Sequence, residues 1–372
     1  MTSWSSNPSA RRWSLPDATG GARDFHRTLP GYAPSPLVNL PALAEELGVG
    51  RVLVKDESSR LGLPAFKILG ASWACRQVLD RSPGAELVTA TDGNHGRAVA
   101  RTARELGTTA TVFVPAVMPA STAALIEGEG ARVVRVDGDY DDAVRAAADH
   151  TAAPGRELVQ DTAWEGYEDV PGWIVEGYRT LVEEVDEQLG RRPDLVAVPV
   201  GVGSLAQAVV SHYRQPEPVD DPDGPADDPD GPTDDQDGPV DDQDRPAAPH
   251  PTRVLAVEPA TAACLLTSLR AGSPTSVPTA GTVMAGMNCG TVSALAWPVL
   301  HDGCDAAVDV TDEQALTASL DLQELGVSSG PCGAATLAGV RAALGNLTRR
   351  ADLDLPADAV VVLLSTEGVD AA

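Results

Sequence analysis

The chain has 372 residues, is 43% hydrophobic and carries a formal net charge of −27 at pH 7. That length can bury the core of one large or two medium domains. The acidity excludes nucleic acid as a partner, and no apolar run of about 18 residues is present to cross a membrane.

The opening stretch MTSWSSNPSARRWS has no apolar core, so no signal peptide is predicted. The five cysteines, Cys75, Cys264, Cys289, Cys304 and Cys332, are scattered and form no C-x-x-C pair. They suit reduced cytoplasmic thiols, with neither a disulfide framework nor a metal site.

In chain order, β-branched runs predict strands at RVLVK (51–55), ELVTAT (86–91), TATVFVP (109–115), ARVVRV (131–136), DLVAVPV (194–200), RVLAVEP (253–259) and AVVVLLS (359–365). Ala-rich helical stretches such as ASWACRQVLD (71–80), GRAVARTARELG (96–107) and DDAVRAAADH (141–150) lie between them. Alternation of this kind predicts parallel sheets flanked by helices, and the number of strands predicts two α/β domains. Between the sixth predicted strand and the one before it, residues 220–247 repeat a seven-residue unit as DDPDGPA, DDPDGPT, DDQDGPV and DDQDRPA. Pro, Gly and Asp at this density cannot build a core, so 216–250 is predicted to be a disordered insertion in a surface loop. The repeat lacks the flanking helices and final Glu of a calcium-binding loop.

Ligands of open parallel sheets bind beyond the C-terminal ends of the strands. Three predicted strands end in Gly with polar residues: DGNHG after 86–91, GVGSLA after 194–200 and TEG after 359–365. The GVGSLAQAVV turn opens a helix, and its free N–H groups and dipole suit a phosphate. Gly201, Gly203 and Ala206 also fit a dinucleotide fingerprint, but the acidic residue which that fingerprint needs would fall inside the Asp repeat. A tight turn that binds nothing is the other alternative.

The chain contains 27 Lys plus Arg, of which only Lys55 and Lys67 are Lys. Arg supplies charge equally well but stays protonated. Only a primary amine can form a Schiff base with an aldehyde, so Lys67, in PAFKILG, is a candidate for covalent chemistry. Lys55, at a strand end before Asp56, reads as an ion-paired structural residue.

Seven stretches carry a family resemblance: KDESSRLGLPAFKILGA (55–71), TATDGNHGRAVA (89–100), VQDTAWEGYEDVPGWIVEGYRTL (159–181), PVGVGSLAQAV (199–209), AVEP (256–259), AGMNCGTVSALAW (285–297) and LLSTEG (363–368). In this order they resemble the fold type II pyridoxal 5′-phosphate (PLP) enzymes. QDTAWEGYEDVPGW is similar to the diaminopropionate ammonia-lyases in particular. The resemblance implies two parallel-sheet domains with the active site between them. The large PLP-binding domain would comprise 1–70 and 167–372, and the small domain 71–166.

It also implies a role for each motif residue. Lys67 would hold PLP covalently, Asn94 would bind its phenolic oxygen, and Gly201, Val202, Gly203, Ser204 and Leu205 would cradle its phosphate. Ser365 would meet the pyridine nitrogen, and a hydroxyl there leaves that nitrogen largely unprotonated. Thr91, Asp92, Gly93 and His95 would hold the substrate carboxylate at a helix N-terminus. Asp92 and Asp161 would be acid–base carboxylates, Lys67 taking the Cα proton from the L substrate and Asp92 from the D substrate. The bare alternatives are that Asp92 caps the following helix, that Asp161 starts a turn, and that His95 is structural.

The expected reaction is α,β-elimination of 2,3-diaminopropionate to pyruvate and ammonia. The alternative is a serine/threonine dehydratase or β-replacement enzyme acting on another amino acid. The family also implies a cytoplasmic homodimer. The chain departs from the usual pattern at Ala65, where Ser is common before Phe-Lys, at Pro331, where Glu is more usual, and in the residues after Gly368.

Overall fold

A computed structural model describes residues 2–16, 20–91, 93–216 and 251–371. The strands are β1 (Trp4–Ser6), β2 (Leu37–Asn39), β3 (Arg51–Asp56), β4 (Glu86–Ala90), β5 (Ala110–Pro115), β6 (Arg132–Val136), β7 (Arg156–Leu158), β8 (Leu195–Pro199), β9 (Arg253–Pro259), β10 (Ala306–Val310) and β11 (Val360–Ser365). They form a seven-stranded sheet in the order β1-β10-β9-β8-β11-β3-β2 and a four-stranded sheet in the order β6-β5-β4-β7. The four-stranded sheet is parallel throughout. The large sheet is parallel except at its edges, where β1 runs antiparallel to β10 and β2 to β3.

The β-branched runs form strands because both of their faces are covered. Every residue of β5, β8, β9 and β11 is buried, the condition under which a strand reads as a continuous apolar run. Four strands escape the sequence reading. β1, β2 and β7 have three residues each, too few to show a period. β10, AAVDV, is Ala-rich, and Ala is depleted in strands. The antiparallel edges are also unforeseen, since pairing direction follows from chain path rather than from local sequence.

Two helices cross at close range behind Lys67. The Lys67–Arg81 helix packs on the long Asp169–Leu189 helix through two glycines. A Cβ on Gly70 would lie 2.5 Å from Tyr178 Cε1, and one on Gly177 would lie 2.5 Å from the Leu69 carbonyl oxygen. Neither helix could approach so closely with a larger residue at its crossing point.

The same long helix is tied to β3 by buried charge. Lys55 Nζ donates to Glu184 Oε2 at 2.7 Å, to the Ser35 carbonyl at 2.9 Å and to Gln188 Oε1 at 2.9 Å. Arg60 donates to both oxygens of Glu184 at 2.8 Å and to both oxygens of Glu57. Two cations face two carboxylates, so the cluster is neutral and each charge is paired. Among the described residues no helix is long and apolar enough to cross a membrane.

Candidate active site

Lys67 opens its helix immediately beyond a backbone junction with the end of β11. Ala65 bridges Glu367, and the Phe66 N–H donates to the Thr366 carbonyl at 3.1 Å. The lysine is therefore fixed against the strand end that carries Ser365. Its Nζ donates to Asp161 Oδ2 at 2.8 Å and lies 5.5 Å from the ring centre of Phe66 and 5.9 Å from that of Tyr178. Both rings present electron-rich faces to the ammonium.

Asp161 lies just beyond β7. Burial alone would raise its carboxyl, but the Lys67 ammonium and the hydrogen bonds to the carboxylate together hold it well below the usual carboxylate range. Ser204 Oγ donates to the Asp161 backbone carbonyl at 3.1 Å, so the Gly-rich turn and the acid share one wall. The Ala163 N–H reaches Ser293 Oγ at 3.4 Å on the same side.

The turn itself follows β8 and opens the Ser204–Tyr213 helix. Among the described residues, none of the N–H groups from Gly201 to Ala206 donates to a protein acceptor, although Gly203, Ser204 and Leu205 are buried. Buried donors without acceptors mark a site for an anion. Gly203 has φ +99°, and a Cβ there would lie 2.9 Å from Leu300 Cδ1. At Gly201 a Cβ would lie 3.0 Å from the Gly286 carbonyl oxygen. Both positions exclude side chains, as a phosphate cradle requires.

Ser365, 1% exposed, hydrogen-bonds Ser329 Oγ at 2.7 Å. A pair of neutral hydroxyls, with no carboxylate between them, fits an unprotonated ring nitrogen. A primary amine, a nest of free N–H groups and a hydroxyl at the strand end thus suit the aldehyde, phosphate and pyridine of PLP.

On the four-stranded sheet, Thr91 directly follows β4. Its Oγ1 accepts from the Gly93 N–H at 3.0 Å and the Gly96 N–H at 3.2 Å, which caps the Asn94–Glu105 helix. The N–H groups of Asn94 and His95 donate to no acceptor among the described residues and are oriented as helix-terminal donors. The His95 ring is buried, and its Nε2 contacts the Val159 carbonyl at 2.8 Å. Burial depresses its basicity, so the ring is neutral and Nε2 carries the proton. His95 therefore ties the helix to the segment that carries Asp161. Asp92 lies outside the described residues.

Two further residues border the site. Tyr178 packs on Phe66 with ring centres 4.7 Å apart, and burial raises its hydroxyl to about 12. Glu367 accepts from Asn94 Nδ2 at 3.3 Å. Both stand inside motif stretches, yet neither position within its motif signals a facing partner. Lys55, the other lysine, is buried in the ion-pair cluster away from this chemistry.

Comparison with known proteins places the chain in a family. Residues 28–367 match the pyridoxal-phosphate dependent enzyme family. The diaminopropionate ammonia-lyase of Escherichia coli K12 is 34% identical, over 93% of this chain and 87% of that protein. The biosynthetic L-threonine dehydratase of Mycobacterium leprae is 29% identical, over 90% of this chain and 70% of that protein. The crystal structure of the Escherichia coli ammonia-lyase in complex with D-serine superposes with a TM-score of 0.82 at 31% identity, covering 100% of this chain and 95% of that one. The same enzyme with an aminoacrylate–PLP azomethine reaction intermediate gives a TM-score of 0.79 at 31% identity, over 100% of this chain and 94% of that one.

Proposed function

The chain belongs to the pyridoxal-phosphate dependent enzymes and, among them, to the diaminopropionate ammonia-lyase family; on that premise we propose that it eliminates ammonia from 2,3-diaminopropionate, L and D, to yield pyruvate and ammonia. The observation that carries the reading is the 2.8 Å contact of Lys67 Nζ with Asp161 Oδ2 beside the Gly201–Leu205 turn. It pairs a candidate cofactor-binding amine with a carboxylate that an amine leaving group needs.

Bound PLP supplies an electron sink for charge that develops at the substrate Cα. The N–H groups at the start of the Asn94–Glu105 helix bind the substrate carboxylate, and Thr91 holds that terminus in shape. The Lys67 amine takes the Cα proton of the L substrate. Asp92 takes that of the D substrate. Asp161 binds the distal ammonium, takes a proton from it, and returns that same proton to the nitrogen as it departs as ammonia. Its acidity is set by Lys67: the ammonium depresses the carboxyl, and burial raises it once that charge is withdrawn. Asn94 and Ser365 orient the ring, and residues 201–205 hold the phosphate.

The domain division belongs to the same proposal, with 1–70 and 167–372 as the large domain and 71–166 as the small one. Separate seven- and four-stranded sheets support it. We further propose a cytoplasmic homodimer, on the family's pattern.

The test is the visible spectrum of the purified protein before and after L- and D-2,3-diaminopropionate, with L-serine for comparison. The expected result is a yellow band that changes with both diaminopropionate antipodes and releases pyruvate. A band that responds to serine alone would transfer the chain to the dehydratases. No band after PLP addition would overturn the enzyme reading.

A further inference from the structure

Glu367 stands two residues beyond Ser365 and is fixed from three sides. Its backbone bridges Ala65, its carbonyl accepts from the Gly330 N–H at 2.9 Å, and its Oε1 accepts from the Cys332 N–H at 3.3 Å, in the first turn of the Pro331–Leu344 helix. Pro331 contributes no N–H to that turn, which suits Pro at a helix start. The other carboxylate oxygen, Oε2, accepts from Asn94 Nδ2 at 3.3 Å.

The Asn94–Glu367 contact spans the two sheets. Asn94 opens the helix that follows β4 of the four-stranded sheet, and Glu367 follows β11 of the seven-stranded one. Lys67 is registered to the same strand end through the Phe66 N–H and the Thr366 carbonyl. Two residues assigned to the cofactor, Lys67 and Asn94, are thereby held to a single tripeptide, 365–367.

A carboxylate can only accept hydrogen bonds, whereas an asparagine amide can present either its oxygen or its NH2 group. Facing a carboxylate, the amide must turn its NH2 inward. One N–H is then spent on Glu367 and the second stays available to donate. A phenolic oxygen, which carries negative charge, needs that donor and would be repelled by the amide oxygen.

We propose that Glu367 is a positioning residue for PLP binding, locking the Asn94 amide in its donor orientation and joining the two sheets across the cofactor. This deepens the reading above and rests on it. Glu367→Gln tests it, because the isosteric amide can either donate or accept and so releases the lock without changing shape. PLP affinity and the visible circular dichroism of bound PLP are measured for wild type, Glu367→Gln, Asn94→Ala and the double variant. The expected result is about 3–10-fold weaker PLP binding in Glu367→Gln, the size of one hydrogen bond, with a reduced dichroic band. In the Asn94→Ala background the same change should have no further effect.

An equal loss in both backgrounds would show that Glu367 acts through the Pro331–Leu344 helix instead, and would overturn the inference. So would unchanged affinity and dichroism, or a KM increase confined to diaminopropionate with PLP affinity intact. Wild-type protein that takes up no PLP would overturn the underlying reading and this inference together.

Discussion

Ser204 Oγ donates to the backbone carbonyl of Asp161 at 3.1 Å, so the residue that opens the helix after the Gly-rich turn also holds the segment of the carboxylate facing Lys67. The Gly-rich turn and Asp161 are one mechanical unit. The arrangement predicts what loss of the acid alone should do. Asp161→Asn keeps the backbone contact and the volume but cannot supply a proton. We expect kcat on diaminopropionate to fall by about 10²–10⁴-fold, the range of general acid catalysis, with PLP retained. Steady-state rates alongside the visible spectrum check this, and an undiminished kcat would remove Asp161 from the reaction.

Gly203 is the test of the cradle. Its φ of +99° and the 2.9 Å approach of a Cβ to Leu300 leave no room for Ala. Gly203→Ala should therefore distort the turn at a cost of about 1–3 kcal/mol and weaken PLP binding. Gly272→Ala offers a control, since it has a similar φ of +70° but nothing within 4 Å of its Cβ. It should strain the backbone without touching PLP affinity. Equilibrium titration of both variants with PLP distinguishes the two effects.

Acid should destabilise the fold in two steps. His26 is buried, with Nδ1 2.8 Å from Thr180 Oγ1 and Nε2 2.9 Å from the Leu69 carbonyl. Burial lowers its pKa from 6.5 to about 4. The unfolded chain binds this proton more readily, so the stabilisation is complete above pH 6.5 and is lost as pH falls toward 4. For Glu184, burial is outweighed by Arg60 and Lys55, which bring its pKa from 4.5 to about 2. Its contribution is complete above pH 4.5 and is lost as pH falls toward 2. Each group should give a slope of about 1.4 kcal/mol per pH unit inside its window. Urea denaturation across this range measures both, and a flat profile between pH 6.5 and 4 would contradict the His26 assignment. Glu184→Gln leaves two buried cations facing one carboxylate and should cost about 3–5 kcal/mol at neutral pH.

The Asp repeat should be dispensable. It lies outside the described residues, but its flanks are joined independently of it. Arg214 Nη1 donates to the Thr252 carbonyl at 2.8 Å, and Arg192 Nη1 to the Gln215 carbonyl at 3.0 Å. Replacing 217–250 with a short Gly/Ser linker should leave kcat/KM within about twofold, because loop closure changes only slowly with length. Loss of activity in a shortened protein that still unfolds at the parental temperature would disprove this.

Much of the site was legible as sequence because its chemistry is local. A chain that otherwise uses Arg narrows the candidate amines to two lysines, and the motif around Lys67 selects between them. Three Gly-and-polar strand ends identify where ligands of a parallel sheet gather. The QDTAWEGYEDVPGW stretch narrows the family. These signals survive in one dimension because each depends on residue type or on a spacing of a few positions.

The tertiary structure decided the relations between distant residues. Nothing in the sequence pairs Lys67 with Asp161, Asn94 with Glu367 or Ser365 with Ser329, since each contact joins strand ends, helix starts or loops that lie far apart in the chain. The fates of the two lysines diverge for the same reason. Both follow apolar runs, but Lys55 is drawn into a buried ion-pair cluster by Glu184 on a helix far along the chain, whereas Lys67 sits at a helix start where two sheets meet. Local sequence sets which groups can react; only the packing of the sheets sets which groups face one another.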